Sequence, residues 1–251
     1  MTAILMIFDY HQNHDDYLEG ARFDLQYITE WLLLLDLKIY ILTDIIDYQH
    51  DHRTIVYQVH STDDLITCLY DITKVISKRL FFYYSGHSYP TNEFLLPNLK
   101  HQSFNIIKDV ILKYEDVLMM MDCCYSNSIL FLLPFKWVTN RFKINNYNQI
   151  DDYDNQIILI TSSSDQERSA STKYGSVFTR CFINYLHLYK NKKLLNLINM
   201  IDSINQMMTT QINQTISVYA SHHIYPLLPV WIYPHHLNVI YHPYYPILLI
   251  Q

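Results

Sequence analysis

Residues 80–87 read Leu-Phe-Phe-Tyr-Tyr-Ser-Gly-His: five bulky side chains in succession, then an abrupt change to small and polar ones. The run does not alternate, so both of its faces need cover, and that points to an inner strand of a parallel sheet. The same pattern recurs downstream. Val117–Met121 (VLMMM) runs into Asp122-Cys123-Cys124, and Ile157–Thr161 (IILIT) runs into Ser162-Ser163-Ser164-Asp165. Upstream, Ala3–Phe8 (AILMIF) is another buried run and Leu37–Leu42 (LKIYIL) alternates like a strand. Leu227–Tyr233 (LLPVWIY) reads as an edge strand, since Pro229 cannot donate to an inner ladder.

Helical spacing fills the intervals. Tyr17–Leu35 places Leu25, Ile28, Leu32 and Leu35 on one face, and Ser61-Thr62-Asp63-Asp64 forms a capping box ahead of Leu65, Leu69, Ile72 and Ile76. Further helices are predicted over Phe104–Lys113, Ser176–Tyr189 and Lys193–Met208. Strands and helices in alternation predict one α/β domain over residues 1–234, a three-layer sandwich with about six mostly parallel strands. A polar, flexible linker is expected at about 136–155, and residues 235–251 read as an irregular tail.

Composition narrows the class. Half of the 251 residues are apolar and 17% are charged, which fits a folded globule. A net charge of -6 argues against nucleic-acid binding, which calls for a basic excess. Four cysteines, two of them adjacent, do not make a disulfide scaffold, and no apolar run reaches membrane-spanning or signal-peptide length. A cytoplasmic protein without membrane contact is therefore expected. Cys68 and Cys181 fall within helical apolar patterns and are expected in the core, while Cys123 should face away from Cys124. His222, His223, His235, His236 and His242 show no common zinc spacing and no accompanying cysteine. Only three glycines occur, Gly20, Gly86 and Gly175, and each should mark a position that excludes a side chain or needs a positive φ.

Sites in open parallel sheets form beyond the carboxyl ends of the strands. If the strands ending at Tyr84 and Met121 are neighbours, His87 and Cys124 share one rim. A thiol beside an imidazole is the minimal apparatus for covalent acyl transfer.

The segments Tyr83-Tyr84-Ser85-Gly86-His87 and Asp122-Cys123-Cys124-Tyr125-Ser126 resemble the two signatures of metacaspases, in the caspase-like cysteine peptidase clan. Leu18–Asp24 (LEGARFD), Thr161–Ser171 (TSSSDQERSAS) and Tyr174–Thr179 (YGSVFT) resemble further family stretches, in family order, and all three glycines lie within these motifs. The resemblance implies a caspase-like sandwich and an endopeptidase that cuts proteins or peptides after Arg or Lys. It implies Cys124 as nucleophile, His87 as general base and acid, the N–H groups of Ser88 and Cys124 as oxyanion hole, and Asp24, Ser85 and Asp122 as the basic-residue pocket. Lys136, Arg141 and Lys143 lie where the clan is often cut during maturation, so self-cleavage there is expected.

The chain also departs from the family. Ser88 replaces a glycine, Tyr125-Ser126-Asn127 replaces His-Ser-Gly, and Ala21 replaces a cysteine. Many metacaspases need calcium, but Pro97-Asn98-Leu99 stands where the family has Pro-x-Asp and Ser128–Pro134 has no acid. No calcium site, other metal or cofactor is therefore expected. The chain begins at its first strand, so no prodomain is expected, and the resemblance to metacaspases favours a monomer. The rival reading is a catalytically degenerate homologue that binds a peptidase or its substrates through the same pocket.

Overall fold

The computed structural model describes residues 1–12, 15–35, 37–46, 48, 51–75, 77–126, 133, 135–138, 141–144, 154–163, 167–188, 197–212 and 214–221. In chain order the first half comprises β1 (Thr2–Ile7), α1 (Ala21–Leu32), β2 (Lys38–Thr43), β3 (Thr54–Gln58), α2 (Thr62–Thr73) and β4 (Arg79–Ser85). Three short strands follow, β5 (Ser88–Tyr89), β6 (Glu93–Leu95) and β7 (His101–Ser103), and then α3 (Asn105–Ile111) and β8 (Asp116–Asp122). The rest comprises β9 (Phe135–Val138), β10 (Arg141–Ile144), β11 (Gln156–Thr161), β12 (Ser171–Thr172), β13 (Gly175–Ser176), α4 (Val177–Leu188), α5 (Leu197–Thr209) and β14 (Ser217–Ala220).

One nine-stranded sheet organises the molecule, in the order β10-β9-β14-β11-β8-β4-β1-β2-β3. The six strands from β11 to β3 are parallel, and four of them, β1, β4, β8 and β11, are the continuous apolar runs that point to a parallel sheet. At the other end β14, β9 and β10 are antiparallel to their neighbours. Two expectations are corrected here. The polar stretch read as a linker holds β10 and most of β9, paired as a hairpin, and β3 and β14 were missed. Both are short, and β3 is only half-buried at the sheet edge, so neither presents the long apolar run that marked its neighbours. The strand at Leu227–Tyr233, the tail and its histidines lie outside the described residues.

Alternation along β1 divides the core. Ala3, Leu5 and Ile7 pack in one cluster with Leu25, Ile28, Phe178, Phe182 and Ile201, so α1, α4 and α5 cover that face. Ile4, Met6 and Phe8 pack with Leu65, Leu69, Ile107 and Val110, so α2 and α3 cover the other. Each such fully buried side chain stabilises the fold by roughly 1.5–3 kcal/mol. Trp31 joins α1 to the sheet and to α4, its ring 5.3 Å from Phe81 and 5.4 Å from Phe182. The capping box opens α2: the Ser61 hydroxyl accepts from the Asp64 N–H at 3.3 Å, and the Asp64 carboxylate accepts from the Ser61 N–H at 3.0 Å. Among the described residues no helix is long and apolar enough to cross a membrane.

Candidate active site

The β4–β8 register determines where the site lies. These parallel strands pair Tyr84 with Met121 and Ser85 with Asp122. His87 and Cys124 each stand two residues beyond that last row, so both leave the sheet at the same rim. Ser88 ties the two strand ends together, its hydroxyl donating to the Cys124 carbonyl.

His87 is half-buried and held on several sides. Its Nε2 lies 2.7 Å from the Asp16 carbonyl oxygen. A carbonyl only accepts, so Nε2 carries the proton, and in the neutral ring Nδ1 holds the free lone pair. The His87 N–H donates to the Tyr10 hydroxyl at 3.0 Å, and its carbonyl accepts from the Tyr84 hydroxyl at 2.8 Å and from the Leu95 N–H at 3.0 Å.

That last bond also fixes the direction of the next amide. In the β5–β6 ladder His87 and Leu95 form a hydrogen-bonded row, and rows alternate in antiparallel pairs. Ser88 opposite Phe94 is therefore in the open kind of row, and its N–H points away from β6.

Cys124 is partly buried, and burial pushes its thiol above the ordinary range. The Ser169 N–H and the Arg168 guanidinium act in the opposite direction, and the Asp122 charge adds to the rise. Next to it Tyr125 adopts left-handed backbone, φ 51°, a conformation a bulky residue takes only when its surroundings hold it there. Its N–H donates to the Glu167 carbonyl at 3.1 Å, and the Ser126 hydroxyl contacts the Ser163 hydroxyl at 3.0 Å. Asn127, a position where the family has glycine, lies outside the described residues. Cys123 packs into the core on the α2–α3 face, while Cys68 and Cys181 are buried within the two apolar clusters.

Asp24, Ser85 and Asp122 come together as one buried group. Asp24, in the first turn of α1, accepts from the Ser85 hydroxyl at 3.1 Å and from the Ser176 N–H at 2.8 Å. Asp122 accepts from the hydroxyls of Ser169 at 2.9 Å and Thr179 at 2.6 Å, and also from the Ser176 hydroxyl. The two carboxylates are 1% and 3% exposed, and among the described residues neither forms an ion pair. Burial raises the proton affinity of both, and the Asp122 charge raises that of Asp24 further.

The glycines explain part of this geometry. Gly175 has φ +102°, and a side chain there would meet an Asp24 carboxylate oxygen at 2.8 Å. At Gly20 a Cβ would run into the Thr172 carbonyl. Lys136 lies in β9 with its ammonium 5.2 Å from the Tyr219 ring centre, and Arg141 and Lys143 lie on β10.

Several site groups escaped the sequence reading. The Asp16 carbonyl is backbone, which carries no residue signature. Ser176, Thr179 and Ser169 sit inside the quoted motifs, but nothing in the sequence says that they aim at Asp122. A separate cluster at the ends of β1 and β2 sets Asp9, His11 and Asp44 within 4.8 Å of one another. Arg22 holds one Asp9 oxygen at 2.8 Å, and Asp44 accepts the N–H groups of Asp9 and Tyr10, each at 2.9 Å, so internal partners already occupy these carboxylates.

The wider comparisons agree with this architecture. The fold is similar to that of protein GSU0716 from Geobacter sulfurreducens, with a TM-score of 0.59 at 13% identity over 88% of this chain and 93% of that one. It is also similar to caspase-1 from Spodoptera frugiperda, with a TM-score of 0.58 at 11% identity over 94% of this chain and 91% of that one. At those identities the likeness speaks for the fold alone. No curated protein matches the sequence significantly. The family model for the caspase domain matches residues 3–227, nearly the whole described fold. With cysteine and histidine at adjacent strand ends of a caspase-like sandwich, the chain belongs to the caspase-domain family, a family of cysteine peptidases.

Proposed function

We propose that this protein is a metacaspase-like cysteine endopeptidase that cuts proteins and peptides after Arg or Lys, with Cys124 as nucleophile and His87 as general base and acid. The observation that carries the reading is the pair of buried carboxylates, Asp24 and Asp122, set beside the strand end that bears Cys124 and forming no ion pair among the described residues, with only the more distant charge of Arg180 acting on Asp24. Buried acids of this kind gain most from a guanidinium or ammonium, bound through charge-assisted hydrogen bonds. The basic side chain of the substrate would supply it, with the Ser85 hydroxyl as a neutral partner.

The proposed chemistry uses these groups as follows. The Cys124 thiol passes its proton to His87 Nδ1, and the sulfur attacks the scissile carbonyl carbon. The resulting oxyanion is taken up by the N–H groups of Ser88 and Cys124. The His87 imidazolium protonates the departing amine, leaving a thioester on Cys124. Water then gives a proton to His87 and attacks the thioester, and the carboxylic acid and free thiol are restored. The Asp16 carbonyl keeps the Nε2 proton in place throughout, so that Nδ1 is the nitrogen that turns over.

The same reading makes the enzyme a cytoplasmic monomer. Self-cleavage at Lys136, Arg141 or Lys143 then needs the β9–β10 hairpin to open, because a substrate must enter extended and unpaired. The test is hydrolysis of short fluorogenic peptides ending in Arg, Lys or Asp, with calcium and with chelator, and with Cys124→Ala as control. Arg and Lys cleavage that disappears in the variant is the expected result. Silence in every condition would favour a substrate-binding homologue. Cleavage only after Asp would overturn the pocket assignment and leave Cys124 and His87 in their roles.

A further inference from the structure

His87 sits just past the end of β4, where the sheet no longer holds the chain on both sides. Its N–H and C=O still need partners, since buried main-chain polar groups are rarely left alone. Two tyrosines, Tyr10 beyond the end of β1 and Tyr84 near the end of β4, meet that need. The Tyr10 hydroxyl accepts the His87 N–H at 3.0 Å and donates to the Leu95 carbonyl at 2.9 Å, bridging the end of β1 to β6. The Tyr84 hydroxyl donates to the His87 carbonyl at 2.8 Å. The Tyr10 ring also lies against the imidazole, with centroids 4.8 Å apart.

Three features show that the arrangement is built in. Tyr10 occupies left-handed backbone, φ 55°, which costs an L-residue roughly 1–2 kcal/mol. It is held there by the Asp44 carboxylate, which accepts the N–H groups of both Asp9 and Tyr10. The third feature is Gly86. A Cβ there would lie 2.5 Å from the Tyr84 hydroxyl and 2.8 Å from the Tyr10 hydroxyl, so glycine is needed here for the room it leaves the two phenols. Burial pushes both phenols far above their ordinary range, which keeps the hydroxyl protons available for donation.

We infer that Tyr10 and Tyr84 are positioning residues that clamp the backbone of His87 from both sides and so keep its imidazole on the Asp16 carbonyl with Nδ1 turned to the site. The inference rests on the catalytic role proposed for His87. The two hydroxyls act on the main chain of the histidine and touch no reacting atom.

The experiment uses the full chain with imidazole nitrogens labelled, in a Cys124→Ala background, so that it does not depend on turnover. The parent protein is expected to show a His87 Nε2 proton resonance protected from solvent exchange. In Tyr10→Phe, and separately in Tyr84→Phe, that proton is expected to exchange at least about tenfold faster, the scale set by loss of one hydrogen bond. In the Cys124 enzyme the same substitutions should lower kcat about tenfold and leave KM within about twofold. Unchanged exchange in both variants overturns the inference, and so does a rise in KM at constant kcat. If no form of the protein cleaves peptides, the peptidase reading falls, but the exchange measurement still decides the role of the tyrosines. Should Tyr10→Phe fail to fold, Tyr84→Phe carries the same test from the opposite side.

Discussion

Replacing Asp24 by Asn should move stability and substrate recognition in opposite directions. Asp24 is 1% exposed, and its carboxyl is pushed up first by burial and then by the charge of Asp122. A carboxyl whose proton affinity is higher folded than unfolded contributes stability at low pH, and that contribution is lost as pH rises through its folded pKa. Each tenfold difference in proton affinity is worth about 1.4 kcal/mol. Asparagine is nearly isosteric and fits the same partners. Its carbonyl can accept the Ser176 N–H, and its amide can donate to the Ser85 hydroxyl in place of the bond that Asp24 now accepts.

At neutral pH the variant should therefore be the more stable of the two, each kcal/mol gained raising Tm by some 2–4 °C for a chain of this size. Between mildly acidic and neutral pH, its Tm should fall less than that of the parent. Arginine recognition should weaken, because a charge-assisted hydrogen bond worth about 1.5–3 kcal/mol is gone, so kcat/KM should drop roughly tenfold to a hundredfold. Thermal denaturation across pH, paired with kinetics on an Arg substrate, measures both. A Tm that falls at neutral pH would refute the view that burial and the Asp122 charge outweigh the hydrogen bonds of Ser176 and Ser85 and the Arg180 charge at Asp24. Unchanged Arg cleavage would remove it from the pocket.

Two further substitutions probe neighbouring links. Arg168→Ala should shift the pH profile of Cys124 alkylation by iodoacetamide to the alkaline side, since the guanidinium opposes the burial that raises this thiol; an acid shift would contradict that account. Ser61→Ala removes the reciprocal cap of α2, far from the site, and should cost about 1 kcal/mol in denaturant unfolding with catalytic constants unchanged.

What could be read in advance follows burial. The strands ending at Ile7, Ser85, Asp122 and Thr161 are covered on both faces, so nearly every position along them is apolar and the run stands out. β3 shows only one buried position, and β14 is four residues long with a serine and an alanine, so neither presents an apolar run to find. The polar β9–β10 region carried a loop composition, and only pairing with β14 and between the two strands makes it sheet. Within the candidate site, His87 and Cys124 were visible because their side chains are the signal, while Asp24, Ser85 and Asp122 were singled out only through the family resemblance. The Asp16 carbonyl and the left-handed backbone of Tyr10 and Tyr125 were not: a main-chain oxygen has no letter, and tyrosine, unlike glycine or asparagine, gives no sign of a positive φ.

Ser176 serves both buried carboxylates of the proposed pocket, its N–H bound to Asp24 and its hydroxyl to Asp122, and it is the residue immediately before α4. Anyone re-engineering selectivity therefore meets a shared support: Ser85 on one side and Ser169 and Thr179 on the other each hold one acid, and Ser176 holds both. A one-residue deletion in the turn between β12 and β13 would pull both supports away at once, whatever acids were left in place. If the proposed preference for basic side chains holds, attempts to exchange it for another chemistry should begin with that turn and treat the acids as its dependants.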